Sequence, residues 1–101
     1  MFRPLRFVCP HCGARDAYIR EETRGPMVMV RSVEVDEDGK TWIGEALLHR
    51  CFKDDLSDMP TTVQFFCSSC DRPLLHKPMK VDEGHRALAE FVKALPCNKE
   101  M

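Results

Sequence analysis

Two short stretches of this chain carry residues whose types and spacing could do chemistry. FVCPHCG, residues 7–13, holds Cys9 and Cys12, and FFCSSCD, residues 65–71, holds Cys67 and Cys70. A single Cys-x-x-Cys can be a redox pair, a disulfide or half of a metal site. Two of them narrow the choice, because four thiolates from two tight turns suit tetrahedral sulfur ligation of one Zn²⁺. Four sulfur ligands close the coordination sphere, so such an ion is expected to be structural, and its binding free energy would help to stabilise so small a core. The redox alternative has a specific argument, since Cys-Pro-His-Cys also serves strongly oxidising thioredoxin-like proteins. There the motif follows a strand and opens a long helix. Here Gly13 and then ARDAYIR follow it with no helical apolar period, and the second pair would be left without a role.

The elements that must position the thiols share one order of parts. FVCPHCGARDAYIR (7–20) and FFCSSCDRPLLHK (65–77) each run from apolar residues through Cys-x-x-Cys and a turn residue to a second apolar stretch, so both are expected to be short hairpins with thiols at their tips. A chain wrapping a metal between two thiols usually needs positive φ just past the second, which Gly13 adopts freely and Asp71 tolerates. At this point the chain resembles a zinc ribbon, over roughly residues 5–20 and 63–77. The resemblance implies that Cys9, Cys12, Cys67 and Cys70 are the metal ligands. The chain departs from the usual ribbon in spacing: residues 21–62 look inserted between the knuckles, and a C-terminal helix is added. Zinc ribbons occur in transcription factors, ribosomal proteins, enzymes and phage regulators, so the resemblance speaks to metal more than to function.

MVMVRSVEV (27–35) is rich in β-branched and apolar residues, and DEDGK (36–40) is a strong turn signal. TWIGEALLHRCF (41–52) contains a helix-favouring EALLHRCF, yet after a tight turn it is expected to return as a strand, giving an inserted hairpin over 27–52. KDDLSDMPTT (53–62) reads as a loop. Leu88, Phe91, Val92 and Leu95 form one apolar stripe, predicting a helix over 82–95 with Asp82 as N-cap, ending before Pro96 and covering a small sheet. The expected class is α+β: a zinc-ribbon-like antiparallel β domain with one C-terminal helix, a single domain over residues 1–101.

The N-terminus has no apolar run long enough for a signal peptide, and no stretch approaches the roughly 18 apolar residues of a membrane span. The expectation is a cytoplasmic protein without membrane contact, where structural disulfides are rare. Four further metal-ligating residues remain outside the knuckles: His49, Cys51, His85 and Cys97. Their spacing fits no standard ligand pattern; Cys51 is expected as a small buried residue and Cys97 as a free thiol in a frayed tail. His11 is expected to face solvent, while His76 stands where it could hydrogen-bond a ligand sulfur.

Net charge is only −1, but unevenly spread: residues 1–31 carry six Arg against three acids, and residues 32–60 carry eight acids against three bases. No Ser-His-Asp order, phosphate-cradling loop or open metal site is visible, so no enzymatic activity is expected. Two binding functions follow. One is an adaptor or regulator of another protein, of a size suited to a phage or mobile element, meeting a basic surface with Asp36, Glu37, Asp38 and Trp42 on the hairpin. The other is a nucleic-acid module in transcription or translation, with Arg6, Arg15, Arg20 and Arg24 on phosphates and Phe7, Tyr18 or Trp42 for stacking. The low net charge favours the first. An exposed strand edge on the hairpin would also let the chain form a homodimer.

Overall fold

A computed structural model describes residues 3–24, 27–51 and 61–99. The chain folds as an antiparallel five-stranded sheet with one helix, the α+β class expected. The strands are β1 (Ile19–Arg24), β2 (Met27–Val35), β3 (Thr41–Cys51), β4 (Thr62–Cys67) and β5 (Met79–Lys80), and the helix is α1 (Val81–Lys93). Their order across the sheet is β3-β2-β1-β4-β5.

Residues 41–51 are strand, so pairing with β2 after the turn overrides the helical propensity of EALLHRC. The turn itself is built by Asp36 and Gly39. Gly39 takes φ +84°, and the Asp36 carboxylate accepts from the backbone N–H of Asp38 (3.0 Å) and Lys40 (2.8 Å) and from Trp42 Nε1 (3.0 Å). The Trp42 indole, then the two backbone donors and the Lys40 charge, hold the Asp36 carboxyl below the usual carboxylate range. Of the loop expected over 53–62, residues 53–60 lie outside the described residues, as does residue 52, and Thr62 already belongs to β4, where it pairs with Arg24; the side chains of His49 and Cys51 also lie outside them.

β1 is the central strand, and its sequence IREETR gives little warning of that. Ile19 and Glu21 point to the helix side, opposite Val33 and Arg31 of β2 and Cys67 and Phe65 of β4. The expected hairpins around the thiols are correspondingly reduced. Before the first knuckle only a single bridge pairs Pro4 with Asp36, and after the second only Phe66 bridges Pro73, each bridge using a proline that has no N–H to extend a ladder. Gln64 substitutes for the missing ladder: its amide donates to the Leu75 carbonyl (3.1 Å) and accepts from the Leu75 N–H (3.2 Å), which seats Leu74 and Leu75 in the core.

The helix runs two residues short of the predicted end, and its N-cap is Lys80 rather than Asp82. Lys80 supplies no side-chain cap; Asp82 instead lies in the first turn, where with Glu83 it complements the helix dipole. The predicted stripe faces the sheet: Leu88, Val92 and Leu95 are buried and Phe91 partly so. Each fully buried aliphatic side chain of this kind stabilises by about 1.5–3 kcal/mol. At Gly84 the helix lies close against the sheet, since a Cβ there would run into Val63 Cγ1.

The expected frayed tail is not observed. Residues Pro96–Asn98 form a 3-10 turn whose Asn98 amide donates to the carbonyls of Arg6 (2.7 Å) and Val92 (2.9 Å) and accepts from the Arg6 N–H (3.0 Å). One side chain thus does for the terminal segments what a strand pair would do, and ties the tail to the residues leading into the first knuckle.

Candidate metal centre

The two knuckles fold the same way. In the first, the Cys9 N–H donates to the Ala14 carbonyl (3.2 Å) and the Gly13 N–H to the Cys9 carbonyl (2.8 Å); in the second, Cys67 donates to Arg72 (3.2 Å) and Asp71 to Cys67 (2.9 Å). The turn residues close both loops as the spacing predicted, Gly13 at φ +74° and Asp71 at φ +59°. Backbone donors then converge on the first sulfur of each pair: His11 N–H (3.4 Å) and Cys12 N–H (3.5 Å) on Cys9 Sγ, and Ser69 N–H (3.3 Å) on Cys67 Sγ. N–H donors aimed at sulfur stabilise thiolate, the form that binds metal.

A second set of bonds joins the knuckles to each other. Ser68 N–H donates to the Tyr18 carbonyl (3.0 Å), and Tyr18 N–H to Ser68 Oγ (3.0 Å). Because Ile19 of β1 pairs with Cys67 of β4, this clasp continues the sheet directly into the site.

The result is one cluster of four sulfurs, all within 4.8 Å of one another. Cys9 Sγ is 3.7 Å from Cys70 Sγ, and Cys12 Sγ is 3.9 Å from Cys67 Sγ. A tetrahedral ion with metal–sulfur bonds near 2.3 Å needs sulfurs about 3.8 Å apart. These four residues can therefore hold a metal ion with little movement. A disulfide would need about 2.05 Å, and all four thiols are free. Cys9 and Cys67 are buried, Cys70 is half-buried and Cys12 exposed, so the centre sits at the end of the sheet with one edge toward solvent.

The thiols are not equivalent. Burial pushes Cys9 up, but the N–H donors of Cys12 and His11 outweigh it and bring the thiol down to about 7. Cys67 is raised, burial outweighing its N–H donors. Cys70 receives help from the Arg72 N–H, yet burial and the neighbouring sulfurs leave it at about 11. Four crowded thiolates repel one another, and a cation among them is what relieves that.

The other sequence-predicted residues divide sharply. Arg6 and Arg15 are exposed and come together beside the first knuckle. Arg20 and Arg24 lie on the sheet face away from the helix and are tied up in ion pairs. Arg20 meets Glu22 (3.4 Å) and Asp71 (2.7 Å) and stacks 4.8 Å over the Phe66 ring, and Arg24 meets Glu22 at 2.6 Å. On the hairpin, Glu37 and Asp38 are exposed and Trp42 is half-exposed, while Asp36 is buried in the turn it holds together. His11 and His76 are exposed, and no described contact joins His76 to a ligand sulfur. Among the described residues the four cysteines are the only group of three or more ligating side chains.

Sequence reasoning singled out His85 as a possible metal ligand but missed Glu21 and its pairing with His85. Glu21 is 1 % exposed, beneath the helix. Its Oε1 accepts from Thr23 Oγ1 (2.9 Å), and its Oε2 lies 3.4 Å from His85 Nε2, an ion-pair distance without hydrogen-bond alignment. His85 Nδ1 is 2.8 Å from Thr41 Oγ1, and the ring meets Phe65 edge-on. Burial raises the Glu21 carboxyl, but His85, Thr23 and the charge of Arg31 overcome it and hold the group below its ordinary value. The only sequence signal was the alternation Ile19-Glu21-Thr23, which places Glu21 on an apolar face.

Compared with protein-family models, with curated proteins and with solved structures, the chain shows no match. No helix among the described residues is long and apolar enough to cross a membrane.

Proposed function

We propose that this chain is a small structural-zinc protein of regulatory or adaptor type, acting by binding another protein through its β2–β3 hairpin. The all-sulfur tetrahedral donor set supports zinc as the ion, and a sphere closed by four thiolates supports an architectural role. The observation that carries the binding reading is the state of β3. It is an eleven-residue strand at the edge of the sheet, and no described strand pairs along its outer side. Trp42 and Ile43 are neighbours that pair with Glu34 and Val33 and so point to opposite faces, yet they are 50 % and 45 % exposed. An edge strand with apolar side chains open on both faces is the form that strand addition by a partner would cover. Exposed Glu37 and Asp38 at the turn add a charge for orientation.

Tagged protein and its Trp42→Ala and Ile43→Ser variants, passed over nuclease-treated lysate of the source cell, test this together with metal analysis. The expected result is zinc equimolar with chain and a stoichiometric protein partner, lost in both variants, with the melting temperature unchanged in Ile43→Ser and lowered in Trp42→Ala, which removes a donor from the buried Asp36 carboxylate. Steeply salt-dependent binding to oligonucleotides with no nuclease-resistant partner would replace this reading with the nucleic-acid one, whose support is the exposure of Arg6 and Arg15 with the exposed Tyr18 ring beside them.

A further inference from the structure

We infer that the groove between the segment leading into the first knuckle and the C-terminal tail is a binding site for an acidic peptide with an aliphatic residue among its carboxylates. The groove has a volume of about 470 Å³ and is lined chiefly by Arg6, Val8, Pro10, Arg15, Leu95 and Pro96. Its charge is of one sign. Among the described residues neither guanidinium has a hydrogen-bond or ion-pair partner, and none of those lining the groove is a carboxylate. Arg20 and Arg24, by contrast, are engaged by Glu22 and Asp71. Two free guanidiniums beside an aliphatic surface match carboxylates flanking a Leu-like side chain, since arginine pairs with carboxylate through two parallel bonds.

Both walls are held in place. Asn98 bonds the tail to the Arg6 backbone in both directions, and Cys9, at the inner end, is fixed by the knuckle. A groove already formed costs little ordering on binding.

A peptide fits better than a nucleic-acid strand. Among the described residues no aromatic ring lines the groove, so a base would have nothing there to stack on. The adjoining hollow, about 210 Å³ across the segment from Pro4 to Val8, shares Arg6 and Arg15 and offers Phe7 and Tyr18, but its Glu34 repels any anion, so an acidic peptide is placed in the groove beside the tail and not there. A net charge of −1 provides no general attraction for a polyanion. The exposed Cys97 thiol also lines the groove and gives a way to observe its occupancy.

This inference shares with the adaptor reading only the premise of a protein partner, and it concerns a different surface. The test is an array of short peptides permuting acidic and aliphatic residues, probed with metal-loaded full-length protein. The best peptide is then titrated by fluorescence anisotropy, with a labelled oligo-dT strand in parallel. Binding by acidic–aliphatic peptides is expected, weakened about tenfold or more in Arg6→Gln/Arg15→Gln. It should be retained in Arg20→Gln/Arg24→Gln and in Trp42→Ala, and bound peptide should slow alkylation of Cys97. Metal content and circular dichroism check that the variants are folded. No preference for acidic peptides, full binding by the Arg6/Arg15 variant, or tighter binding of oligo-dT would each overturn the site. Loss with Trp42→Ala alone would move binding to the hairpin, overturning the groove and leaving the adaptor reading standing.

Discussion

Charge placement in this chain is decided residue by residue, and Glu21 shows the physics most clearly. A carboxylate under a helix survives because Thr23, His85 and Arg31 surround it, and the folded state holds it below its ordinary value. A carboxyl depressed on folding contributes stability that is present above its unfolded value, near 4.3 for Glu, and is lost as pH falls through the lower folded value. Wild type is therefore expected to exceed Glu21→Gln in stability by about 1–3 kcal/mol at neutral pH. That difference should stay flat down to about pH 5 and shrink below it. Urea unfolding of both proteins across that range measures it, and the comparison cancels the acid loss of metal common to the two. A difference that grew on acidification would show that Glu21 is not held as an anion. Asp36 follows the same sign, its carboxylate accepting from Trp42 and the turn amides.

Each element of the sheet is set by a few close approaches. The helix reaches β4 at Gly84, and this is where propensity and packing disagree. Gly84→Ala should gain about 1 kcal/mol of helix propensity. The new methyl would press on Val63 Cγ1 in a fully packed layer, where overpacking costs about 1–3 kcal/mol. A lower urea midpoint with an unchanged slope is the expected outcome; a higher one would mean the helix can lift without loss. The hairpin, the positive φ at Gly13 and Asp71, and the apolar stripe of the helix could all be read from spacing, because each depends on residues within a turn or two. β1 could not: IREETR has the composition of a solvated segment, and it becomes the central strand only because β2 and β4 flank it.

For the molecule as a whole, the four-sulfur centre joins the chain before β1 to the chain after β4, across 55 residues between Cys12 and Cys67. A metal held there would close that long loop and restrict the unfolded chain, and if it is zinc its binding would be worth about 10–16 kcal/mol, comparable to the total stability of such a fold. Cys67→Ser should release the metal and abolish the cooperative melting transition, as should a chelator acting on the wild type. Cys97→Ser, whose thiol only touches the Arg6 carbonyl at 3.4 Å, should keep the metal and shift stability by less than about 0.5 kcal/mol. Metal analysis and thermal melts of the two variants decide the matter, and equal behaviour would remove the ligand assignment.

The sequence by itself determined which four thiols meet, which turn residues fold around them, and which helix face is apolar, since those follow from spacing along a few residues of chain. The tertiary structure decided what lies far apart in sequence. It put Glu21 opposite His85, withdrew Arg20 and Arg24 into ion pairs while leaving Arg6 and Arg15 without one among the described residues, buried Asp36, and docked the tail through Asn98. Each of these is a contact between elements, and the burial or pairing it imposes on a polar side chain has no counterpart in the local pattern from which a strand or helix is read.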